Sequence, residues 1–450
     1  MLQALVRAIQ LPDLRRRVLF TLGMLLIFRL IAHIPVPNIN PGALVQLREA
    51  LASNQLAQLL NIFAGGALQN FSVAAMGVYP YITAQIIMQL LQPLIPALQE
   101  LRKEGDQGRI KLNRYMMWLT IPLAYLQAYG QTLTLERTVN PQGVAAQSLF
   151  RTPFDIVGNF FPTFTVLTTM VAGTMLLVWL GEQINERGIG QGISVIIFGG
   201  IVSGLPGLLV QGFQISQAGD VGTILGIIAF IAIALLTIVG IILIQEGQRR
   251  IPVQYAKRVR GNKVYGGQSS HIPLKVNTAG MIPLIFAQSI IIFPGIVASW
   301  FYRVGGEGFG NQLAGFFYNT FNPTGQGGGW VYITLLFLLT VGFTYFYTVV
   351  MFQQQDIPDN LQRNGGFIPG IRPGKNTDQY LSRVLNRITL AGALFLGLIA
   401  VLPFLTQSIT GLQLGLGSTA LLIVVGVAVD TMRQLEAQLV MRDYEGFLSR

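Results

Sequence analysis

Residues Ile224 to Ile244 read ILGIIAFIAIALLTIVGIILI, a run without one charged side chain. At a helical rise of about 1.5 Å per residue, such a run crosses the roughly 30 Å hydrocarbon core of a bilayer. An amphipathic helix of a soluble domain would show one polar face, and this stretch shows none. Lipid is the solvent that suits it.

Working outward, runs of similar length recur along the 450 residues: Val18 to Ile34, Val73 to Leu94, Met116 to Leu135, Phe160 to Leu180, Ile189 to Val210, Ala279 to Phe301, Val331 to Phe352, Ile388 to Leu405 and Leu414 to Val429. Outer-membrane barrel strands would be only about 10 residues long and would alternate polar with apolar positions. Helices satisfy their own backbone groups in lipid, so the expected fold class is an all-α polytopic membrane protein with ten transmembrane helices. Composition agrees: 52% of residues are apolar and 11% charged, against about a quarter charged in soluble domains. Pro35, Val36, Pro37 and Asn38 follow the first run in place of a small-residue cleavage pattern, so that run is expected to remain as a helix. Cysteine is absent, which excludes disulfides, thiolate ligands and cysteine nucleophiles.

The net charge of +11 points either to nucleic acid or to membrane topology, and its distribution decides between them. Alternate loops hold Arg15 to Arg17, Arg102 to Arg114, Arg187, Arg249 to Lys275, Arg363 to Arg387 and Arg433 to Arg450. The opposite loops hold only Arg48, Arg137, Arg151 and Arg303, with Arg29 near the outer end of the first run. This bias is a positive-inside signal, placing both termini in the cytoplasm. It also predicts attraction to anionic lipids. Two basic loops, Gln245 to Pro273 and Gln353 to Leu385, are longer than a helical hairpin requires. Their cations are interspersed with Tyr255, Tyr265 and Tyr380, a composition that suits docking of an acidic protein or ribosomal RNA.

The sequence offers little for covalent chemistry. His33 and His271 are the sole histidines and fall on opposite sides of the expected topology, so no metal centre is expected. Gly188 to Gly192, reading GIGQG, lacks the strand and spacing of a nucleotide loop. A tight turn entering the fifth run is the simpler reading. No Walker motif or serine, histidine and carboxylate arrangement is visible, so no cofactor is expected. Charge buried within a run, the usual mark of an ion-coupled secondary transporter, is also scarce. The unusual feature is Asn61 to Gly77, rich in glycine and small residues, which suits either a packed membrane-face loop or a movable seal.

Five separated motifs resemble the SecY family of protein-conducting channels. Pro80-Tyr81-Ile82-Thr83-Ala84 with Ile86 to Leu91 resembles its second helix. Glu186 to Gly190 with Gly192-Ile193-Ser194 resembles the start of its fifth, and Pro273 to Asn277 with Gly280 the start of its seventh. Phe367 to Gly374, FIPGIRPG, resembles its eight-to-nine loop, and Thr419 to Val425 its tenth helix. The resemblance implies two inverted five-helix halves around an hourglass pore, residues 1–211 and 212–450, with cytoplasmic loops at 245–273 and 353–385. It implies a lateral gate between helices two and three of one half and seven and eight of the other. It assigns Val78, Ile82, Ile193, Ile197, Ile285 and Ile423 to the pore ring. A plug is implied at 61–75, including Asn61, Phe63, Gly65, Gly66 and Phe71, and partner contacts at Lys257, Arg258, Lys263, Arg372 and Lys375. Asn262 departs from the basic pair that many relatives carry before Val264. Implied partners are SecE, SecG, the SecA motor, the ribosome, signal peptides and unfolded polypeptides. The implied location is the plasma membrane, or the thylakoid membrane in a photosynthetic cell. An ion-coupled transporter is the competing reading, and a scaffold or insertion factor a further one.

Overall fold

The computed structural model describes residues 11–53, 61, 64–92, 94–139, 148–155, 158–217, 221–255, 258–260, 263–265, 269–301, 308–321, 329–354, 357–410 and 418–448. In the N-terminal part, helix α1 spans Pro12–Ile31 and α2 Ala43–Ser53. A 3-10 turn at Ala67–Asn70 precedes α3 (Tyr79–Leu91), α4 (Pro96–Lys103), α5 (Asp106–Val139), α6 (Phe160–Arg187) and α7 (Gly192–Gln217). The C-terminal part runs through α8 (Val221–Glu246), strands β1 (Gln248–Tyr255), β2 (Arg258–Arg260), β3 (Lys263–Tyr265) and β4 (Ser269–Lys275). It continues with α9 (Ile282–Phe301), α10 (Phe309–Thr320), α11 (Gly329–Gln354), α12 (Ile357–Arg363), β5 (Gly366–Phe367), α13 (Lys375–Thr410) and α14 (Ser418–Leu448).

The ten apolar runs fall on α1, α3, α5, α6, α7, α8, α9, α11, α13 and α14. Among the described residues, stretches of α6, α8, α11 and α13 are long and apolar enough to cross a bilayer, and α7 and α9 contribute shorter apolar stretches. Side chains such as Leu236 (76% exposed) and Leu243 (67% exposed) on α8 project outward. Lipid tails are as apolar as leucine, so this exposure costs nothing in a membrane. One buried cluster draws on α1, α3, α5, α6, α7, α9, α11 and α14, and a second joins α8, α9, α11, α13 and α14.

Two details depart from the expected elements. The second run was expected to be helical from Val73, but the helix starts at Tyr79. The N–H of Val73 donates to the Ile34 carbonyl and that of Val36 to the Phe71 carbonyl, so residues 71–73 are tied to the chain leaving α1. Gly77, at φ 60°, then breaks the approach to the helix. The second departure is β structure in the enlarged loops. β1 pairs antiparallel with β4 from Gln248↔Lys275 to Gln254↔Ser269, and β2 pairs with β3 beyond it. β5, from the other enlarged loop, adds to β1 through Gln254↔Phe367 and Tyr255↔Gly366. Ile251 and Val253 alternate inward onto a cluster with Leu274, Phe352, Leu361, Ile368 and Leu381. The two basic loops are therefore joined in one folded unit, which among the described residues holds all the named strands.

Candidate functional site: an apolar collar, a docked segment and a polar seam

Val78 lies at the N-cap of α3 and Ile82 one turn into it. The i,i+4 spacing puts them on one helix face, as it does Ile193 and Ile197 on α7. Ile285 sits in the first turn of α9 and Ile423 in the second turn of α14. Val78, Ile82, Ile197, Ile285 and Ile423 are all buried members of a single cluster, and the partly buried Ile193 packs against it. Four helices distant in sequence thus contribute the six branched side chains to one large apolar cluster.

The segment 64–78, irregular apart from its 3-10 turn, leads into α3 and belongs to the same cluster. Ala64, Ala67, Leu68, Phe71, Ala74 and Ala75 are all essentially buried within it. Gly65 and Gly66 take φ of 63° and 81°, a region that glycine enters without steric cost. Phe71 adopts φ 39° despite its side chain and packs edge-on against Phe150 at 5.6 Å. An Arg29 Nη1–H donates to the Gly65 carbonyl at 3.3 Å, and Arg48 Nη2–H to Asn70 Oδ1 at 2.8 Å. Asn61 accepts from the Gly66 N–H through its carbonyl at 2.8 Å. Phe63 lies outside the described residues.

Between α3, α5 and α9 lies a seam with polar groups on otherwise apolar faces. Tyr79 Oη donates to the Ser289 carbonyl at 3.4 Å across α3 and α9. Gln127 Nε2 of α5 donates to Thr83 Oγ1 of α3 at 3.2 Å. Gln127 Oε1 and Ser289 Oγ are buried with no hydrogen-bond partner among the described residues. Phe286 of α9 completes the seam against α11, edge-on to Phe343 at 6.1 Å and to Tyr347 at 6.2 Å. Sequence reading missed these polar pairs; a tyrosine, a threonine and glutamines recurring inside apolar runs were the available signal.

On the basic face, Arg372 is exposed between Ile371 and Pro373, and Lys375 is exposed at the start of α13. Thr377 Oγ1 donates to the Arg372 carbonyl at 3.0 Å, so the backbone of FIPGIRPG is shaped without using the guanidinium. Arg258 and Lys263 lie on the paired strands β2 and β3. Lys257 and Asn262 are outside the described residues. No group of three His, Asp or Glu that could hold a metal converges among the described residues.

The SecY family model matches residues 72–432, a stretch that contains the six branched residues and the polar seam. The chain belongs to the SecY family. A SecY protein translocase subunit of Thermotoga maritima is 43% identical over 456 residues, covering 100% of this chain and 98% of its own. That of Mycobacterium tuberculosis is 44% identical over 461 residues, covering both chains completely. Among solved structures, a protein-conducting channel superposes with a TM-score of 0.63 at 18% identity, covering 95% of this chain and 93% of that one. Sec61 from a canine ribosome-channel complex superposes with a TM-score of 0.60 at 17% identity, covering 95% and 93%. These superpositions establish that the polytopic helical fold is that of SecY and Sec61.

Proposed function

We propose that this SecY-family chain is the pore subunit of a protein-conducting channel. It passes unfolded, signal-bearing polypeptides across the membrane and releases apolar segments sideways into lipid. The observation that supports this reading is that Val78, Ile82, Ile193, Ile197, Ile285 and Ile423, from four helices, belong to or pack against the same apolar cluster as the segment 64–78. Branched apolar side chains form a collar that yields to an extended chain and that, when empty, resists ions by dewetting. Residues 61–75 act as the plug beneath it. Residues 1–211 and 212–450 act as the two halves, parting at the seam between α3 and α5 on one side and α9 and α11 on the other. An apolar signal helix leaving through that seam gains about 0.8 kcal/mol per buried methylene before ordering costs.

The positive-inside pattern supports cytoplasmic termini in a plasma membrane. The joined sheet of the two basic loops then faces the cytoplasm, with Lys257, Arg258, Lys263, Arg372 and Lys375 available to a SecA-type motor or a ribosome. SecE and SecG are the companion subunits by family membership. Energy comes from the motor, from synthesis on the ribosome or from the membrane potential, and the chain itself performs no covalent catalysis. Reconstitution with the small subunits and motor tests the proposal: vesicles should take up an unfolded polypeptide only when it bears a signal. Ion-driven uptake of a small solute without polypeptide movement would overturn it in favour of a transporter.

A further inference from the structure

The segment 64–78 rests on glycines of two surrounding helices. Gly200 of α7 faces Gly65, and a methyl group placed on Gly200 would stand 2.1 Å from the Gly65 Cα. Gly173 of α6 faces Val73, and a methyl there would stand 1.9 Å from the Val73 carbonyl oxygen and 2.6 Å from its carbon. The obstructing atoms are backbone in both cases, so no rotamer change can make room and the segment itself must move. The Phe28 ring also closes on Gly65, where a Cβ would meet Phe28 Cζ at 2.6 Å and the Gly200 Cα at 3.2 Å. Gly204 and Gly207, further along α7, have nothing within 4 Å. Glycine is a poor helix former, and among the described helix glycines the fit to this segment requires it at positions 173 and 200.

We propose that Gly173 and Gly200 are positioning residues that form the seat of the 64–78 segment, two notches that admit its backbone and hold it under the collar. These notches receive a non-helical strand of chain rather than a neighbouring helix, so their occupancy sets the resting position of that strand. The proposal rests on the reading of residues 61–75 as a plug only for its consequence, the seal, and not for the docking itself.

The chain contains no cysteine, so Ala67→Cys supplies a single thiol at a fully buried position of the segment. In channels assembled with their small subunits in vesicles, labelling by a membrane-impermeant maleimide and resting ion conductance are measured together. Gly200→Ala and Gly173→Ala should each raise labelling several-fold and raise conductance, whereas Gly204→Ala and Gly207→Ala should change neither. Phe28→Leu combined with Gly200→Ala gives Gly65 room to shift and should restore part of the protection. A seat variant that assembles only together with Phe28→Leu also supports the seat. Unchanged labelling in both assembled seat variants overturns the proposal, as does failure to assemble in every combination. Raised labelling with unchanged conductance leaves the seat standing and removes the plug reading instead.

Discussion

Phe71 is held in a left-handed conformation, φ 39°, with its ring fully buried against Phe150. For a residue with a Cβ that conformation costs roughly 1–2 kcal/mol, repaid here by burial of the ring. Phe71→Ala should therefore destabilise by about 3–5 kcal/mol, while Phe71→Gly should be no worse, because glycine escapes the backbone cost. Thermal unfolding of the purified protein checks the order; a glycine variant clearly less stable than the alanine variant would show that the backbone strain is negligible. The collar makes a second residue-scale prediction. Asparagine at both Ile285 and Ile423 places hydrogen-bonding groups at the proposed constriction and would lower the barrier to continuous water. Resting conductance should rise at matched protein abundance while signal-dependent transport persists, and unchanged conductance would remove these two residues from the seal.

At the scale of elements, the sheet made by β1, β4 and β5 presents Arg372 on a backbone whose shape is set by Thr377 and by turns at Gly370 (φ 82°) and Gly374 (φ 98°). Arg372→Glu then changes charge without changing form. Charge-assisted hydrogen bonds are worth about 1.5–3 kcal/mol, so if Arg372 is a partner contact as proposed, affinity for the motor or ribosome should fall roughly tenfold or more, with membrane integration intact. Near-normal binding at normal expression would assign Arg372 to topology alone. Val253 makes a complementary test, because its side chain is buried where the sheet meets α11, α12 and α13. Val253→Asp should unseat the sheet and abolish partner binding whichever charge occupies position 372. Retained binding would mean that the loops act independently of their shared sheet.

Across the whole molecule, the proposed opening separates α3 and α5 from α9 and α11, and polar groups across that seam would set how readily it happens. Removing one partner of a buried hydrogen bond is costly, while replacing both by apolar groups of similar shape is nearly neutral or stabilising. Tyr79→Phe removes the hydrogen bond that crosses the seam from α3 to the Ser289 carbonyl of α9 and should favour the open seam, so that weakly apolar signals pass better. Ser289→Ala, which removes a buried hydroxyl without a partner among the described residues, should instead hold the seam shut, so that only strongly apolar signals pass. A graded series of signal peptides in the transport assay checks the contrast; equal signal preference in the two variants would place the opening elsewhere.

The sequence by itself determined the solvent, the helices and the expected sidedness, because run length, the absence of charge and loop cations act locally and need no partner to be read. Its family motifs also named Val78, Ile82, Ile193, Ile197, Ile285 and Ile423, although i,i+4 spacing alone matches ordinary packing as well as a pore. Tertiary structure decided which surfaces meet. It joined β5 to β1 across more than a hundred residues, delayed α3 to Tyr79 by bonding residues 71–73 to the exit of α1, and set Gly65 and Val73 into Gly200 and Gly173. It also paired Gln127 with Thr83 and Tyr79 with Ser289. None of these has a local signature, because a glycine in an apolar run looks the same whether it faces lipid or receives a neighbour's backbone, and only the packed chain distinguishes the two.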